Sequence, residues 1–261
     1  IGQEALETNT TGASNVAIGF RALEANTTGT DNVGVGPYAL DANTTASNNT
    51  ALGRSALGAT STGATNTAVG AYALLNNTTA DNNTAVGYEA LYTNTTATIN
   101  TALGRQALRA NTTGADNTAV SYSLVSNTTG NYNTAVGRGA LNANTTGSSN
   151  VAIGYNTLDA NTTSGNNVAV GNAALGANTA ANNTAVGNET LQANTTGTLN
   201  TAVGGACLDA NTTGSNNTAM GRGALGANTT ANDNTAIGYQ ALTANTTGAS
   251  NTALGRTALA V

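Results

Sequence analysis

Hydrophobic and polar residues alternate over short stretches that recur along the chain. Val16 and Ile18 share one side of an extended backbone, whereas Ala17 and Gly19 share the other. This period of two is typical of a β-strand. An Ala-Leu-x-Ala segment follows and predicts a second short strand, and the Asn- and Gly-rich stretches between them predict turns, because Asn and Gly readily adopt left-handed backbone angles. The pattern predicts coils of two strands and two turns.

The alternation belongs to a repeat of the form N-T-T-G-x-x-N-[TV]-A-[VIL]-G-x-x-A-L-x-A, numbered below as repeat positions 1–17 with Asn26 at position 1. Twelve of the fourteen intervals between unit starts are 17 residues and two are 16. Helical hairpin repeats need about 33 residues or more. The sequence therefore predicts an all-β parallel β-solenoid of about fifteen coils. We expect residues 1–261 to form a single continuous array, a fragment of a longer fibre. The units start at residues 9, 26, 43, 60, 77, 94, 111, 127, 144, 161, 178, 194, 211, 228 and 245.

The asparagine at position 7 is the least variable residue of the repeat. Stacked coils would place these side chains in a column, and aligned amides form hydrogen-bonded ladders in stacked β-structures. We therefore predict a structural ladder of Asn15, Asn32, Asn49, Asn66, Asn83, Asn100, Asn117, Asn133, Asn150, Asn167, Asn183, Asn200, Asn217, Asn234 and Asn251.

The predicted core is thin. Each coil offers one Val, Ile or Leu at position 10, with Met220 in one coil, and one Leu at position 15. Their burial contributes about 3–6 kcal/mol, whereas ordering the backbone costs about 1–2 kcal/mol for each residue. Further contacts are therefore expected, and the flat Ala/Gly face of the strand is predicted to pack against another chain, most simply in a homotrimer.

The strand residues resemble those of a known family. Segments such as Asn66, Ala68, Val69 and Gly70 match the head repeats of trimeric autotransporter adhesins of the YadA type, and the longer motif is similar to arrays in bacterial surface fibres and phage tail fibres. The resemblance implies a left-handed β-roll with three chains side by side, displayed on a cell surface or a virion. The coil here has a longer N-T-T-G loop, which leaves a monomeric solenoid or a filament as alternatives.

Composition argues against several classes of function. Charged residues make up 7% of the chain, the net charge is −5, and there is no His, Trp or Lys. The absence of basic clusters disfavours nucleic acid partners, and no apolar run approaches the roughly 20 residues that insert into a membrane. Without His, catalytic triads lack their usual base. The acids, Asp41, Asp159 and Asp209 among them, show no Asp-x-Asp spacing and are interpreted as solvated loop charges, and Cys207 replaces a small apolar Ala. No catalytic residue, cofactor or metal site is predicted.

Position 12 varies between large and charged residues on an otherwise constant framework. Its side chains are either solvent-facing turn residues or a contact surface for partner chains and host ligands, for which Arg and Tyr are common anchors. The N-T-T triplets match the glycosylation sequon, although they are also good turn sequences. The candidate contact column comprises Phe20, Arg54, Tyr88, Arg105, Arg138, Tyr155, Arg222, Tyr239 and Arg256.

These observations favour a structural or adhesive repeat region of an extracellular fibre or filament. The expected partners are further copies of the chain and a host surface or matrix ligand. A phage tail-fibre shaft and an ice-binding solenoid are the alternatives, the latter disfavoured because the Thr doublets fall in predicted turns. A polysaccharide-processing β-helix is disfavoured because no carboxylates cluster on one face of the repeat.

Overall fold

The computed structural model describes residues 1–260, and in this part of the chain it contains fifteen strands and no helix. Two compact units are distinguished, Ile1–Tyr132 and Asn133–Val261. The first holds β1 (Val16–Ile18), β2 (Val33–Val35), β3 (Thr50–Leu52), β4 (Thr67–Val69), β5 (Thr84–Val86), β6 (Thr101–Leu103) and β7 (Thr118–Val120). The second holds β8 (Thr134–Val136), β9 (Val151–Ile153), β10 (Val168–Val170), β11 (Thr184–Val186), β12 (Thr201–Val203), β13 (Thr218–Met220), β14 (Thr235–Ile237) and β15 (Thr252–Leu254).

Within each unit, every strand pairs in parallel with the next strand of the sequence. Thr50 lies beside Thr67 in the first unit, and Thr201 lies beside Thr218 in the second, so the register advances by one 17-residue repeat. Where the repeat is shortened, Val168 pairs with Thr184 and the register advances by 16 residues without interrupting the pairing. The predicted parallel β-solenoid with its 17-residue repeat is confirmed.

The strands present the opposite face to the interior from the one that the sequence predicted. The central residue of each strand is buried, as Ala51 and Ala68 show, whereas the flanking Thr and aliphatic residues face outward, and Leu52 is 48% exposed. The prediction that the Ala/Gly face lies outside and the position 10 aliphatics fill the core is therefore wrong.

The reason is the narrow interior. A Cβ placed on Gly34, at position 9, would lie 3.3 Å from the carbonyl oxygen of Ala39 and 3.4 Å from Cγ of Leu23. That space accepts a methyl group and nothing larger. The core consists instead of Ala at positions 9 and 14 and Leu at position 15, together with the Asn side chains of positions 1 and 7.

The Ala-Leu-x-Ala segment lies in turns, although a strand was predicted there. Its positions 14 and 15 are both buried, as at Ala39 and Leu40. Consecutive residues of a strand point to opposite sides, so a strand could not bury both. Left-handed backbone angles at Tyr38 (φ 60°) and Leu40 (φ 53°) turn the side chains of Ala39 and Leu40 inward. The segment still bonds to its neighbours, since the amide of Leu40 donates to Ala56 O (3.1 Å).

Candidate functional site

One regular surface of each unit is the outward side of its sheet, formed by positions 8 and 10, which we call the outer face. Position 8 is Thr or Val in every strand and position 10 is aliphatic in every strand, so neither column carries a charge. Parallel strands repeat at about 4.8 Å. The position 10 column comprises Ile18, Val35, Leu52, Val69, Val86, Leu103 and Val120 in the first unit, and Val136, Ile153, Val170, Val186, Val203, Met220, Ile237 and Leu254 in the second.

All nine candidate contact residues of position 12 are exposed, namely Phe20, Arg54, Tyr88, Arg105, Arg138, Tyr155, Arg222, Tyr239 and Arg256. Several pack on aromatic rings of a neighbouring coil. The guanidinium carbon of Arg54 lies 5.8 Å from the ring centre of Tyr72, and the rings of Tyr72 and Tyr88 meet edge to face at 6.1 Å. Phe20 makes the same kind of contact with Tyr38 at 5.3 Å. Within the first unit, the structure thus brings Arg and aromatic side chains of positions 12 and 13 together in neighbouring coils.

Within each unit, the position 7 asparagines join neighbouring coils. The backbone amide of Asn49 donates to Oδ1 of Asn32 (3.0 Å), and Nδ2 of Asn49 donates to Gly63 O (2.8 Å). Side-chain amides also approach one another, as from Asn32 Nδ2 to Asn15 Oδ1 at 3.2 Å. Most of these bonds therefore run from side chain to backbone rather than from amide to amide. The residues are buried from Asn32 to Asn234, so they serve the interior and are not a surface for ligands.

A second asparagine column at position 1 was not predicted. Nδ2 of Asn43 donates to Oδ1 of Asn26 (2.7 Å) and to the carbonyl of Ala46 (3.1 Å). The neighbouring Thr at position 2 adds a hydroxyl bond, from Thr27 Oγ1 to Thr44 O at 3.0 Å. Position 1 is Asn in every unit except the one that starts at Thr60, and this regularity was the signal that the turn interpretation overlooked. The asparagines of the N-T-T triplets from Asn26 to Asn228 are buried.

The Thr60 interruption leaves a defect in the position 1 column. Oδ1 of Asn43 is buried without a hydrogen-bond partner, because Thr60 has no amide to donate to it. We expect Thr60→Asn to raise the free energy of unfolding by about 1 kcal/mol, since it supplies that donor. Urea unfolding monitored by circular dichroism measures the change. The matched variant Thr60→Asp has no Nδ2 donor and should be less stable than wild type; equal gains in both variants would contradict the ladder explanation.

Two features could act as a nucleophile or a metal site, namely Cys207 and a cluster of three glutamates. Cys207 is buried with Sγ 3.3 Å from Ala219 O, and burial raises the pKa of its thiol to about 12, which keeps it protonated. Carboxylate oxygens of Glu4, Glu7 and Glu24 lie within 4.8 Å of one another. Arg21 forms ion pairs with Glu4 (3.4 Å) and with Glu24, and its hydrogen bond lowers the pKa of the Glu24 carboxyl. Ion pairs thus account for the Glu4 and Glu24 carboxylates of this cluster.

Three aspartates at position 16, Asp41, Asp159 and Asp209, are half-buried, and burial raises the pKa of each carboxyl. Each lines a shallow cavity, with volumes of about 470, 340 and 390 Å³ respectively. The sequence alone suggested solvated loop charges at these positions.

Among residues 1–260, no helix is long and apolar enough to cross a membrane. Comparison with models of known protein families, with curated proteins and with solved structures finds no match to this chain. Function is therefore inferred from the surfaces and cavities described above.

Proposed function

We propose that this chain is a structural repeat segment of an extracellular fibre, and that its outer face binds further copies of the same chain. The observation that supports this proposal is the outer face itself. Every position 10 side chain is aliphatic, and those of Ile18, Leu52 and Met220 are 42%, 48% and 44% exposed. A contiguous exposed apolar strip on a soluble protein marks an interaction surface. The outer face takes over the role that the sequence assigned to the Ala/Gly face.

A second copy is the occupant that fits this face best. Two outer faces share one strand spacing, so the side-chain rows of one copy can pack between those of the other along a whole unit. Their columns at positions 8 and 10 carry no charge, so identical faces do not repel each other. A partner with a different spacing would lose register after a few strands. The trimeric state, the left-handed winding and display on a cell surface or virion rest on the adhesin resemblance and stay predictions.

The proposal includes no catalysis. The chain has no His, and its single thiol is buried and protonated. Stacking accounts for the two asparagine columns, because their amide groups bond to neighbouring coils, with exceptions such as Oδ1 of Asn43 and Nδ2 of Asn234.

Sedimentation velocity tests the proposal over a concentration series from about 1 to 100 μM, a range that resolves micromolar association. The wild-type chain is expected to form oligomers. The triple variant Val69→Lys, Val86→Lys and Leu103→Lys should be monomeric, because three desolvated ammonium groups would face the partner. The control variant Thr62→Lys, Thr79→Lys and Thr96→Lys adds the same charge at exposed position 3 of the same coils and should still associate. A wild-type monomer at every concentration would refute self-association.

Ice binding is a second candidate, favoured by one specific observation. Eleven of the fifteen strands begin with Thr, and these side chains lie on the outer face rather than in the turns. The outer face therefore places rows of hydroxyl and methyl groups beside an aliphatic column. Thermal hysteresis of the same variants distinguishes the candidates. Hysteresis by a monomeric wild-type chain that disappears in the Val69, Val86 and Leu103 variant would support ice binding and overturn self-association.

A further inference from the structure

The three shallow cavities share one construction. An aspartate at position 16 of one coil is followed, one coil later, by a glycine at position 16. Every Asp and every Gly found at position 16 belongs to one of these pairs, which are Asp41 with Gly58, Asp159 with Gly176, and Asp209 with Gly226. Because the same Asp–Gly pair occurs at all three cavities, we associate each cavity with its carboxylate.

The glycines keep the carboxylates accessible. A Cβ on Gly58, Gly176 or Gly226 would lie 3.3, 3.7 or 3.5 Å from Oδ1 of the paired aspartate, so a larger side chain would fill the cavity and cover that oxygen. None of the three has a positive φ. Position 16 carries Leu75 and Tyr92 in other coils, so the fold does not require glycine there. Glycine at these points leaves the carboxylate accessible.

Hydrogen-bonding groups and, in two cavities, a tyrosine complete the lining. Tyr38 and Arg54 lie at the Asp41 cavity. Arg222 and Tyr239 lie at the Asp209 cavity. The Asp159 cavity has the amides Asn156 and Gln192. Each cavity thus offers a carboxylate acceptor and guanidinium or amide donors within a shallow, partly apolar depression.

We propose that these cavities bind neutral saccharides, one hexose ring in each. Ring hydroxyls donate to the carboxylate and accept from the guanidinium or amide, and the C–H face of the ring packs on tyrosine where one is present. A single carboxylate is far short of the six to eight oxygen ligands that Ca²⁺ takes. An anionic ligand would be repelled by the aspartate, and a cationic ligand by Arg54 or Arg222 in two of the three cavities.

A glycan chain has more than one cavity to engage within the second unit. Asp159 and Asp209 are three coils apart in sequence, which corresponds to about 14 Å along a parallel stack. Individually weak sites at fixed spacing gain affinity when one polymer occupies both. This inference does not use the outer face, so it stands apart from the self-association proposal.

Saturation-transfer NMR with methyl glucoside, methyl galactoside and methyl mannoside as probes tests the proposal on the full chain. Wild type should transfer magnetisation to at least one of them. The triple variant Asp41→Asn, Asp159→Asn and Asp209→Asn should bind that probe about tenfold more weakly, because a charged hydrogen-bond acceptor is lost. The triple variant Gly58→Leu, Gly176→Leu and Gly226→Leu should not bind, since leucine fills the cavities. Glu7→Gln, an exposed acid at position 16 outside any pair, should bind as wild type does.

If the leucine variants fail to fold, the Asp→Asn variants still test the proposal, because Asn has nearly the same shape as Asp. Three results would overturn the proposal: no transfer to any hexoside, undiminished transfer in the Asp→Asn triple variant, or calorimetric binding of Ca²⁺ in place of hexosides. Sedimentation of these variants should match wild type, so failure here is distinguishable from failure of self-association.

Discussion

Replacing Gly204 with Ala is expected to lower the free energy of unfolding by about 3 kcal/mol or more, because it combines backbone strain with a steric clash. Gly204 occupies position 11 with φ +133°, and an added Cβ would lie 2.7 Å from the carbonyl carbon of Gly221 in the next coil. That neighbour is backbone and cannot rotate away. Urea unfolding monitored by circular dichroism measures the loss.

The adjacent Gly205 is a matched control. It occupies position 12, has no positive φ, and a Cβ there would meet nothing closer than 3.9 Å. Gly205→Ala should change stability by less than about 0.5 kcal/mol. Similar losses in the two variants would show that the position 11 geometry is not what requires glycine. Ser121 replaces glycine at position 11 where the unit has lost one residue, and its φ is 76° rather than about +130°.

Replacing Asn66 with Ala is expected to cost about 2–4 kcal/mol, since it leaves the buried amide of Asn83 without a partner and removes one of the two hydrogen bonds to Ala80 O, which then accepts only from Asn77 Nδ2 (3.0 Å). Oδ1 of Asn66 accepts from the amide of Asn83 (2.9 Å), and its Nδ2 donates to Ala80 O (2.8 Å). The same urea measurement applies. Asn172→Ala, at exposed position 12 where Ala71 occurs in another coil, should lie within about 0.5 kcal/mol of wild type.

The variant Asn66→Asp keeps the shape of the side chain but introduces an ionisable carboxyl group. The new carboxyl would be buried, and burial raises a carboxyl pKa. Its folded-state pKa would exceed the unfolded value, so the variant should lose stability as pH rises through the folded-state pKa and be closest to wild type in acid. A variant whose stability relative to wild type is independent of pH would contradict burial of this side chain.

The sequence was sufficient for the repeat, the strand and the parallel stacking, because period-two alternation and a fixed 17-residue spacing carry that information directly. It was insufficient for the direction of the strand faces. Alternation places Thr67 and Val69 on one face of the strand and Ala68 on the other, but it does not show which face is interior. Their larger size favoured the position 10 aliphatics as the interior residues. The width of the interior, however, depends on how Ala and Leu at positions 14 and 15 pack in the stacked coils, and this packing is known only from the folded coil.

The second strand was mispredicted for a related reason. Leucine rarely adopts positive φ, yet Leu40 and its equivalents do so in order to be buried beside Ala39. The cavities depend on a relation between coils, since Asp41 matters through Gly58, one repeat away. The aspartates were interpreted one at a time as solvated charges. Aligning position 16 across consecutive units would have shown the pairing.

The hydrogen bonds between coils also bear on how the chain folds. The residues they join are mostly 16 or 17 apart in sequence, as with Leu40 and Ala56 or Thr27 and Thr44. Relative to 261 residues, this gives a relative contact order of about 0.07 or less, a value typical of fast-folding helical bundles rather than of β-sandwiches. Each strand finds its partner in the coil synthesised just before it. A parallel sheet ordinarily assembles slowly, but here it can add one coil at a time as the chain is synthesised.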